Sequence, residues 1–584
     1  MKGGITSGAV YPRAIKRIST RYRLRNLGGT SAGAIAAVAT AACEYRRNQG
    51  VADAFDVLDT VGGEISRPGF VERLFQPTQR ARPAFSVGLR LTTTSGSPAR
   101  RVVSAIFAIL RSDRWFLASA ALAVLAWAVV IGMAIWALLG DPTAVDFVAI
   151  ILLAVAALPM AALLVASVAL LAAMHFASEL DRALKGNWFG LCSGLTEDGY
   201  PENSALTNWL HATIQRFAGL PLDKPLTFRM LQGDDVDDPL VNLQLVTTDL
   251  SAARPVILPL PDEPLSEEPA PYLFDPAELR KFFPSEVVEQ MKEASQLEAQ
   301  TGEEQMLYTV PGLDLPIVVA ARLSLSFPIL LSTLPLWRAD GVDAALVQHT
   351  MSDGGISSNF PIHFFDSLFP ARPTFGLDLQ PWRIATEQPV EMSDTPRKPM
   401  FSKVTDVPTF FTQVLSATLN WRDNMQAELP GYRDRICQIR LKTSEGGLNL
   451  SMTPNVVDSL VARGDEAGVA VTDPRKFDWD RHRVTRFRIL MQMLQRGLGR
   501  LGVGRPGVYR GEQPGREAFR DVVEQWQTAD STPFDPPPLG WWKRAIEATD
   551  AVVDLAASWD PTGEVDFDED APTPTPTLRI LPRV

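Results

Sequence analysis

The 584-residue sequence has few of the residues on which disulfide and metal chemistry depend. It contains three cysteines and five histidines. The cysteines, Cys43, Cys192 and Cys437, are odd in number and far apart, which argues against a disulfide framework and is typical of a reducing compartment. Neither C-x-x-C nor H-E-x-x-H occurs. The sequence therefore indicates no metal site, and we expect no cofactor.

Positive charge is also scarce. Lysine and arginine together number 56, against 67 acidic residues, for a formal net charge of -11. This balance argues against a nucleic-acid partner and against general attraction to anionic lipid. No G-x-x-x-x-G-K-[ST] occurs, and no G-x-G-x-x-G follows a predicted strand. A phosphate-binding loop is therefore the less favoured interpretation of the glycines near residue 4.

Long apolar runs are the first feature that the sequence does have. Residues 115–139 and 147–174 carry no charge. Each exceeds the roughly 20 residues that a helix needs to cross a bilayer. Residues 1–20 contain no apolar core, so we expect no signal peptide there. The two runs predict a transmembrane helical hairpin, with a pair of buried helices in a soluble core as the alternative.

The flanks of these runs predict the orientation of the hairpin. Basic residues stand on both outer sides: Arg100, Arg101, Arg111 and Arg114 before it, Arg182 and Lys185 after it. The short loop between the runs carries two acids and no base. The positive-inside rule then places both flanks in the cytoplasm. Arginine far outnumbers lysine, as in proteins of GC-rich bacterial genomes. Together with the predicted hairpin and its orientation, this leads us to expect a multi-pass protein of a bacterial inner membrane with a cytoplasmic catalytic domain.

A possible nucleophile lies near the amino end. Residues 29–33 (GTSAG) have the G-x-S-x-G pattern of a nucleophile elbow, in which a strand leads to a serine and a helix leads away. Tyr22 to Leu27 reads as the strand and Ala34 to Tyr45 as the helix. Ser31 would then lie at a helix N-terminus, where backbone N–H groups favour a developing negative charge. A glycine turn that merely caps a helix is the alternative.

Two further glycine motifs agree with an acyl-transfer site. Residues 2–8 (KGGITSG) can present backbone N–H donors to an oxyanion, since paired glycines leave such donors uncovered. Residues 352–355 (SDGG) place an acid, Asp353, at the end of an apolar run. An ordinary Asp-Gly hairpin turn is the alternative there. The combination of the three motifs makes Asp353 a candidate catalytic base.

In this order, the three motifs resemble the patatin-like phospholipase family. Residues 321–328 (ARLSLSFP) and 359–361 (NFP) are similar to further segments of that family, and the resemblance covers about residues 1–100 and 187–380. It implies a Ser/Asp dyad, with Ser31 as nucleophile and Asp353 as general base. The other implied site residues are the oxyanion donors Gly3, Gly4 and Ile5 and the motif-supporting glycines Gly29, Gly33, Gly354 and Gly355.

Two points depart from the family pattern or stay open. In the family a buried strand precedes the oxyanion loop, whereas this loop begins at residue 2. We expect that the true start lies upstream, the alternative being a chain without that strand. A histidine-containing triad is also open, because His349 and His363 flank Asp353 in the sequence. However, His349 and Asp353 would lie about 13 Å apart along one strand.

The expected fold class is α/β. The resemblance implies a patatin-like three-layer α/β/α sandwich, and the alternation of elements favours a mixed, mostly parallel sheet, with Leu315 to Ala321 among its strands. We divide the chain into a catalytic domain in two parts, the inserted hairpin, a helical C-terminal extension and a disordered acidic, proline-rich tail. The boundaries are 1–100, 101–186, 187–385, 386–550 and 551–584.

These features predict a membrane-anchored serine lipid acyl hydrolase of phospholipase or lysophospholipase type that works through an acyl-enzyme. The expected partners are a membrane phospholipid or another acyl-ester lipid and the bilayer itself. Two alternatives stay open. The first is a catalytically impaired patatin-like membrane scaffold, and the second is a transacylase or thioesterase that uses a different acceptor.

Overall fold

A computed structural model describes most of the chain outside the two long apolar runs. The described residues are 1–4, 7–93, 173–202, 204–235, 238–261, 270–301, 305–340, 345–367, 369–382, 387–394, 404–442, 445–446, 449–450, 452–502, 509–510, 518–526 and 540–558, with single positions between 125 and 171. The chain forms two compact units. Unit 1 comprises Met1–Pro361, Asp378–Val390 and Ile439–Val469, and unit 2 comprises Ile362–Leu377, Glu391–Gln438 and Ala470–Val584. The domain boundaries proposed from the sequence stay a prediction.

Helices are numbered in chain order. They are α1 Tyr11–Ser19, α2 Ala32–Asn48, α3 Leu58–Ile65, α4 Phe70–Leu74, α5 Arg82–Thr93, α6 Leu206–Ala218, α7 Phe228–Gln232, α8 Pro276–Leu279, α9 Ser285–Glu293, α10 Ile317–Ser324, α11 Val407–Ala427, α12 Pro454–Thr472, α13 Trp479–Gly502, α14 Phe519–Trp526 and α15 Trp541–Ser558. Local chemistry explains several ends. Asp275 caps α8 by accepting a hydrogen bond from Ala277 N, and Gly219 ends α6 in the left-handed conformation.

The strands are β1 Asn26–Gly29, β2 Gly190–Cys192, β3 Asn242–Asp249, β4 Arg254–Leu258, β5 Leu273–Phe274, β6 Leu297–Thr301, β7 Gln305–Thr309, β8 Ile329–Leu331, β9 Leu334–Asp340, β10 Ala345–Asp353, β11 Gly376–Pro381, β12 Val390–Met392 and β13 Ile436–Leu441. The main sheet has the order β1-β3-β10-β9-β5-β7-β6, and β4 pairs with β3. Smaller sheets have the orders β11-β13-β12 and β2-β8.

The expectation of a mostly parallel sheet is wrong. Among the described strands of the main sheet, β1 and β3 form the one parallel pair, and the others run antiparallel. The reason is that β3–β4, β6–β7 and β9–β10 are connected by short loops, and a short loop can join only antiparallel neighbours. The fold is nevertheless α/β, with a mixed sheet.

Two local predictions also need correction. Leu315 to Ala321 is not a strand of the sheet but contributes to helix α10, all of whose residues are buried. A short run that is apolar all round cannot be assigned to helix or strand by periodicity alone. Similarly, the first strand is Asn26–Gly29 rather than Tyr22 to Leu27. The strand therefore leads directly to the serine of the G-x-S-x-G motif.

The predicted transmembrane hairpin lies almost entirely outside the described residues. Among the residues that are described, no helix combines the length and apolar character needed to cross a bilayer. The described apolar side chains within residues 115–139 and 147–174 are exposed. They include Leu125, Met133, Trp136, Leu163, Leu170 and Leu171, whose exposed fractions are all above 60%.

Candidate active site

Ser31 lies at the sharp turn between β1 and α2. Its backbone has φ 53° and ψ -128°, a combination that is strained for a residue with a side chain. The backbone N–H donates to the carbonyl oxygen of Ser324 at 3.3 Å and to its hydroxyl oxygen at 3.2 Å, which helps to hold this conformation. The serine predicted as nucleophile therefore occupies a nucleophile elbow, and it is almost fully buried.

Both glycines of the motif are required, because main-chain atoms of neighbouring residues occupy the space that a side chain would need. A Cβ built on Gly29 would lie 2.2 Å from the carbonyl oxygen of Gly33. A Cβ on Gly33 would lie 2.3 Å from the carbonyl oxygen of Met1. A larger residue at position 29 would force β1 and α2 apart, and one at position 33 would displace the backbone of Met1 and Lys2. The pattern is therefore a packing requirement of the turn that carries Ser31.

Asp353 is the last residue of β10 and is 4% exposed. Gly355 N donates to its Oδ1 at 2.6 Å, which fixes the carboxylate. Burial raises the pKa of Asp353 to about 6, while hydrogen bonds from the Ser31 side chain and the Gly355 backbone act to lower it. A carboxylate with this pKa is ionised at neutral pH yet basic enough to accept a proton.

Ser31 and Asp353 are brought together although 322 positions separate them in the sequence. The hydroxyl of Ser31 faces the carboxylate closely enough to influence its pKa. Oδ2 of Asp353 is buried and has no hydrogen-bond partner of ordinary length and angle within the described part of the chain. Long or poorly aligned catalytic hydrogen bonds are usual in the absence of substrate.

The segment that ends α10 connects the two residues. Ser324 accepts from the N–H of Ser31, and the carbonyl oxygen of Ser326 accepts from the N–H of Asp353 at 3.0 Å.

Arg322, fully buried, donates to Ser326 Oγ at 2.7 Å and to the carbonyl oxygens of Ser193 and Ser332 at 3.0 Å each. Burial lowers the pKa of Arg322 to about 10. The resemblance pointed to this segment, but its role as a support emerges only from the fold.

The glycine loop lies against the elbow. A Cβ built on Gly3 would be 3.0 Å from Cβ of Ser31. The N–H of Gly3 donates to the carbonyl oxygen of Asn359 at 3.1 Å, and Thr30 Oγ1 donates to the same oxygen at 3.0 Å. Gly3 must therefore share or release this bond to serve as an oxyanion donor. Ile5 lies outside the described residues, and the oxyanion roles of Gly3, Gly4 and Ile5 stay a prediction.

Comparison with known proteins agrees with this geometry. The family model described as patatin-like phospholipase matches residues 1–366. The chain belongs to the patatin-like phospholipase family. A relative named "RpoH suppressor", from Rhizobium meliloti (strain 1021), is 31% identical over 676 aligned positions, which cover 100% of this chain and 98% of the relative. The family resemblance seen in the motifs is confirmed.

In this patatin-like chain, His349 is paired with Asp249 rather than with Asp353. Its Nδ1 lies 2.7 Å from Oδ2 of Asp249, which also accepts from the hydroxyl of Tyr272 at 2.7 Å. Burial acts to raise the pKa of Asp249, but the hydrogen bonds from Tyr272 and His349 lower it. This buried histidine stabilises the charge of a different carboxylate, on the neighbouring strand β3. The geometry thus favours the dyad over a triad through His349.

An apolar cavity adjoins the elbow of the patatin-like domain. Its walls come from the 3₁₀ turn Ser7–Val10, from α1, α2, α3, α4 and α6, and from Leu325. Ala32, which follows Ser31 directly, lines it. The empty space, including the part open to solvent, is about 950 Å³. Within the described residues, no group of three or more histidine, cysteine or acidic side chains could hold a metal ion.

Proposed function

We propose that this protein is a membrane-anchored serine lipid acyl hydrolase that uses Ser31 and Asp353 as a dyad. The observation that carries the proposal is the juxtaposition of three features in one place: a serine on a strained turn, a buried carboxylate with a pKa of about 6, and an apolar cavity that begins beside the serine. A nucleophile and a base lie close together, and the residue after the nucleophile lines an apolar space.

The reaction follows from these positions. Asp353 accepts the hydroxyl proton as Ser31 Oγ attacks the ester carbonyl carbon, and the protonated Asp353 then gives this proton to the departing alcohol. An acyl-enzyme on Ser31 remains. Asp353 next takes a proton from water, the hydroxide attacks the acyl carbon, and the proton returns to Ser31 as the carboxylic acid leaves. Backbone N–H groups of the glycine loop would stabilise the oxyanion in both halves.

Membrane anchoring through residues 115–174 is part of the proposal. Two uncharged runs of spanning length support it, as do the exposed apolar side chains within them, such as Trp136, which is 79% exposed. Arginines on the outer flanks support a cytoplasmic catalytic domain at the inner membrane of a bacterium. Anchoring would hold the enzyme at the surface where its lipid substrate resides.

The central experiment measures ester hydrolysis and covalent labelling of the full chain. Wild type should hydrolyse phospholipid or lysophospholipid and react with an alkyl fluorophosphonate at Ser31. Ser31→Ala and Asp353→Asn should each lower turnover at least a thousandfold without loss of folding. Ser86→Ala, which alters an exposed serine of α5, is the matched control and should stay active. Undiminished labelling of Ser31→Ala would refute the assignment.

The anchor is tested separately. The full chain should sediment with membranes, whereas a variant in which a short Gly-Ser linker replaces residues 115–174 should not. Thr143→Cys adds a cysteine to the loop between the runs, and the native cysteines are buried. In intact cells this variant should react with an external, membrane-impermeant maleimide. Labelling only after lysis would contradict the proposed orientation.

The bond between Gly3 N and Asn359 O supports a second candidate, a catalytically impaired patatin-like scaffold. Because the N–H of Gly3 is already bonded, the oxyanion would lose one of its stabilising donors. The loss of one such donor costs about 3 kcal/mol of transition-state stabilisation in comparable sites. Fluorophosphonate labelling of Ser31 together with lipid hydrolysis would exclude this candidate. A folded, membrane-bound wild type that shows neither would establish it over the hydrolase.

A further inference from the structure

Helix α13 concentrates positive charge in an acidic chain. Its sequence contains six arginines and one aspartate, whereas the whole chain has a formal net charge of -11. One of the six, Arg486, is buried, and its Nη2 lies 2.9 Å from Oδ2 of Asp366. Three others are exposed: Arg481, Arg483 and Arg488.

Two buried polar pairs determine which side of α13 is turned outward. One is the pair of Arg486 and Asp366, and in the other Nδ1 of His482 lies 2.6 Å from Oδ2 of Asp434. Both acids belong to unit 2, as α13 does. Ile489 of the same helix is buried as well. Because these contacts resist rotation of the helix about its axis, the exposed residues near its beginning form a defined outer surface.

Two apolar side chains lie exposed among the arginines of this surface. Val484 is 59% exposed and Phe487 is 51% exposed. Residues three or four positions apart are neighbours on a helix, so Val484 lies between Arg481 and Arg488. Phe487 lies beside Val484 and Arg483 for the same reason. We call these five residues the outer face of α13. An apolar centre with arginines around it is typical of helices that lie in a membrane interface.

The two acids at the start of α13 do not cancel this charge. Asp478 caps the helix, since its Oδ1 accepts from the N–H of Arg481 at 2.9 Å. Asp480 forms an ion pair with Arg483, whose guanidinium carbon lies 5.6 Å from the ring centre of Trp479. Three exposed arginines thus stand against two acids. The outer face therefore keeps a local positive excess in a chain of negative net charge.

We propose that the outer face of α13 binds the surface of an anionic phospholipid bilayer. Its arginines contact lipid phosphates, while Val484 and Phe487 enter the boundary between headgroups and acyl chains. A nucleic acid fits less well, because its phosphate backbone would leave the two apolar side chains in water. The rest of the acidic chain is repelled by such a bilayer, so this surface turns one side of unit 2 toward it. The inference is independent of ester hydrolysis and shares with the proposed function only the bilayer.

The test places a fluorescent reporter on the outer face. Val484→Cys supplies an accessible thiol, since the native cysteines are buried, and it is labelled with nitrobenzoxadiazole, which brightens in apolar surroundings. The full chain is held in nanodiscs of phosphatidylcholine, with or without one third phosphatidylglycerol. In the anionic discs the label should brighten and be quenched by spin-labelled lipid, and high salt should reverse both effects. Val552→Cys, at an exposed valine of α15, is the matched control and should respond to neither.

Further variants separate the contributions of charge and apolar area. The triple variant Arg481→Gln, Arg483→Gln, Arg488→Gln should lower the ratio of inserted to free label about fivefold per arginine, on the order of a hundredfold in all. Phe487→Ser should lower it about fivefold to tenfold. A control triple variant removes exposed, ion-paired arginines elsewhere and should change the ratio by less than about twofold. It combines Arg13→Gln, Arg229→Gln and Arg280→Gln.

The outcomes decide between the possible partners. Equal brightness in both kinds of disc, or an unchanged ratio in the triple variant of the outer face, would overturn the proposal. A label that responds to double-stranded DNA and not to anionic discs would assign the surface to nucleic acid instead. If the triple variant does not fold, Arg481→Gln alone should still lower the ratio about fivefold. An inactive wild type whose label enters anionic discs would refute the proposed hydrolase and leave this assignment intact.

Discussion

The backbone N–H of Ser31 is held by Ser324, which accepts it with both its carbonyl oxygen at 3.3 Å and its hydroxyl oxygen at 3.2 Å. This amide is therefore engaged in shaping the turn and is not free to bind an oxyanion. Two residues further along, the carbonyl oxygen of Ser326 holds the N–H of Asp353 at 3.0 Å. One short segment thus positions the nucleophile and the base relative to each other, with Arg322 holding Ser326 in turn.

Activity should depend on pH through the ionisation of Asp353. The base acts only when it is deprotonated, and burial raises its pKa to about 6. We expect kcat/KM to be level above about pH 7 and to fall tenfold per pH unit below about pH 6. Initial rates with a short-chain ester between pH 4.5 and 8.5 provide the measurement. An inflection near pH 4, the ordinary value for an aspartate, would show that Asp353 is not the group that titrates.

Asp353→Asn should make the protein inactive but more stable at neutral pH. The folded pKa of about 6 lies above the unfolded value of 3.8, so the buried charge destabilises the fold once pH rises through 6. Removing the charge should raise the free energy of unfolding by up to about 3 kcal/mol at pH 8. The gain should shrink below pH 6 and vanish below about pH 4.

Thermal unfolding of wild type and Asp353→Asn at pH 8 and pH 4 measures this difference. Asp198→Asn, at an exposed aspartate, serves as the control and should change stability by less than about 0.5 kcal/mol. A variant that is less stable than wild type at pH 8 would contradict the predicted cost of burying the carboxylate.

Gly29→Ala should disrupt the nucleophile elbow. The added Cβ would lie 2.2 Å from the carbonyl oxygen of Gly33, so β1 and α2 must move apart and displace Ser31. We expect at least a hundredfold loss of kcat/KM and a lower melting temperature. Gly63→Ala is the matched control, since no atom outside its own stretch of helix lies within 4 Å of its added Cβ, and α3 should gain about 0.5–1 kcal/mol. Wild-type activity in Gly29→Ala would refute the packing argument.

His349→Gln should lower stability and leave the chemistry intact. His349 is bonded to Asp249, so its replacement weakens a buried hydrogen bond at a cost of about 1–3 kcal/mol. The variant should retain kcat/KM within about twofold of wild type and the same pH inflection. Calorimetry and the ester assay measure the two effects. Activity as low as that of Ser31→Ala would make this histidine part of the catalytic machinery and replace the dyad with a triad.

The sequence by itself determined the features that depend on neighbouring residues. The G-x-S-x-G turn, helix α2 that follows it and the Asp275 cap of α8 are set within a few positions, where steric limits and local hydrogen bonds dominate. The motif order also indicated the family correctly. Local patterns were insufficient for residues 315–321, because a run that is apolar on every side suits a buried helix as well as a buried strand.

Only the tertiary structure decided the relationships between distant residues. These include the antiparallel pairing of most of the main sheet, the pairing of His349 with Asp249, and the engagement of Gly3 by Asn359. The pKa of Asp353 belongs to the same group, since it results from burial by elements far apart in the chain. The physical reason is common to all of them. Burial and long-range hydrogen bonds arise when the chain packs, whereas a local pattern specifies only which conformations each segment can adopt.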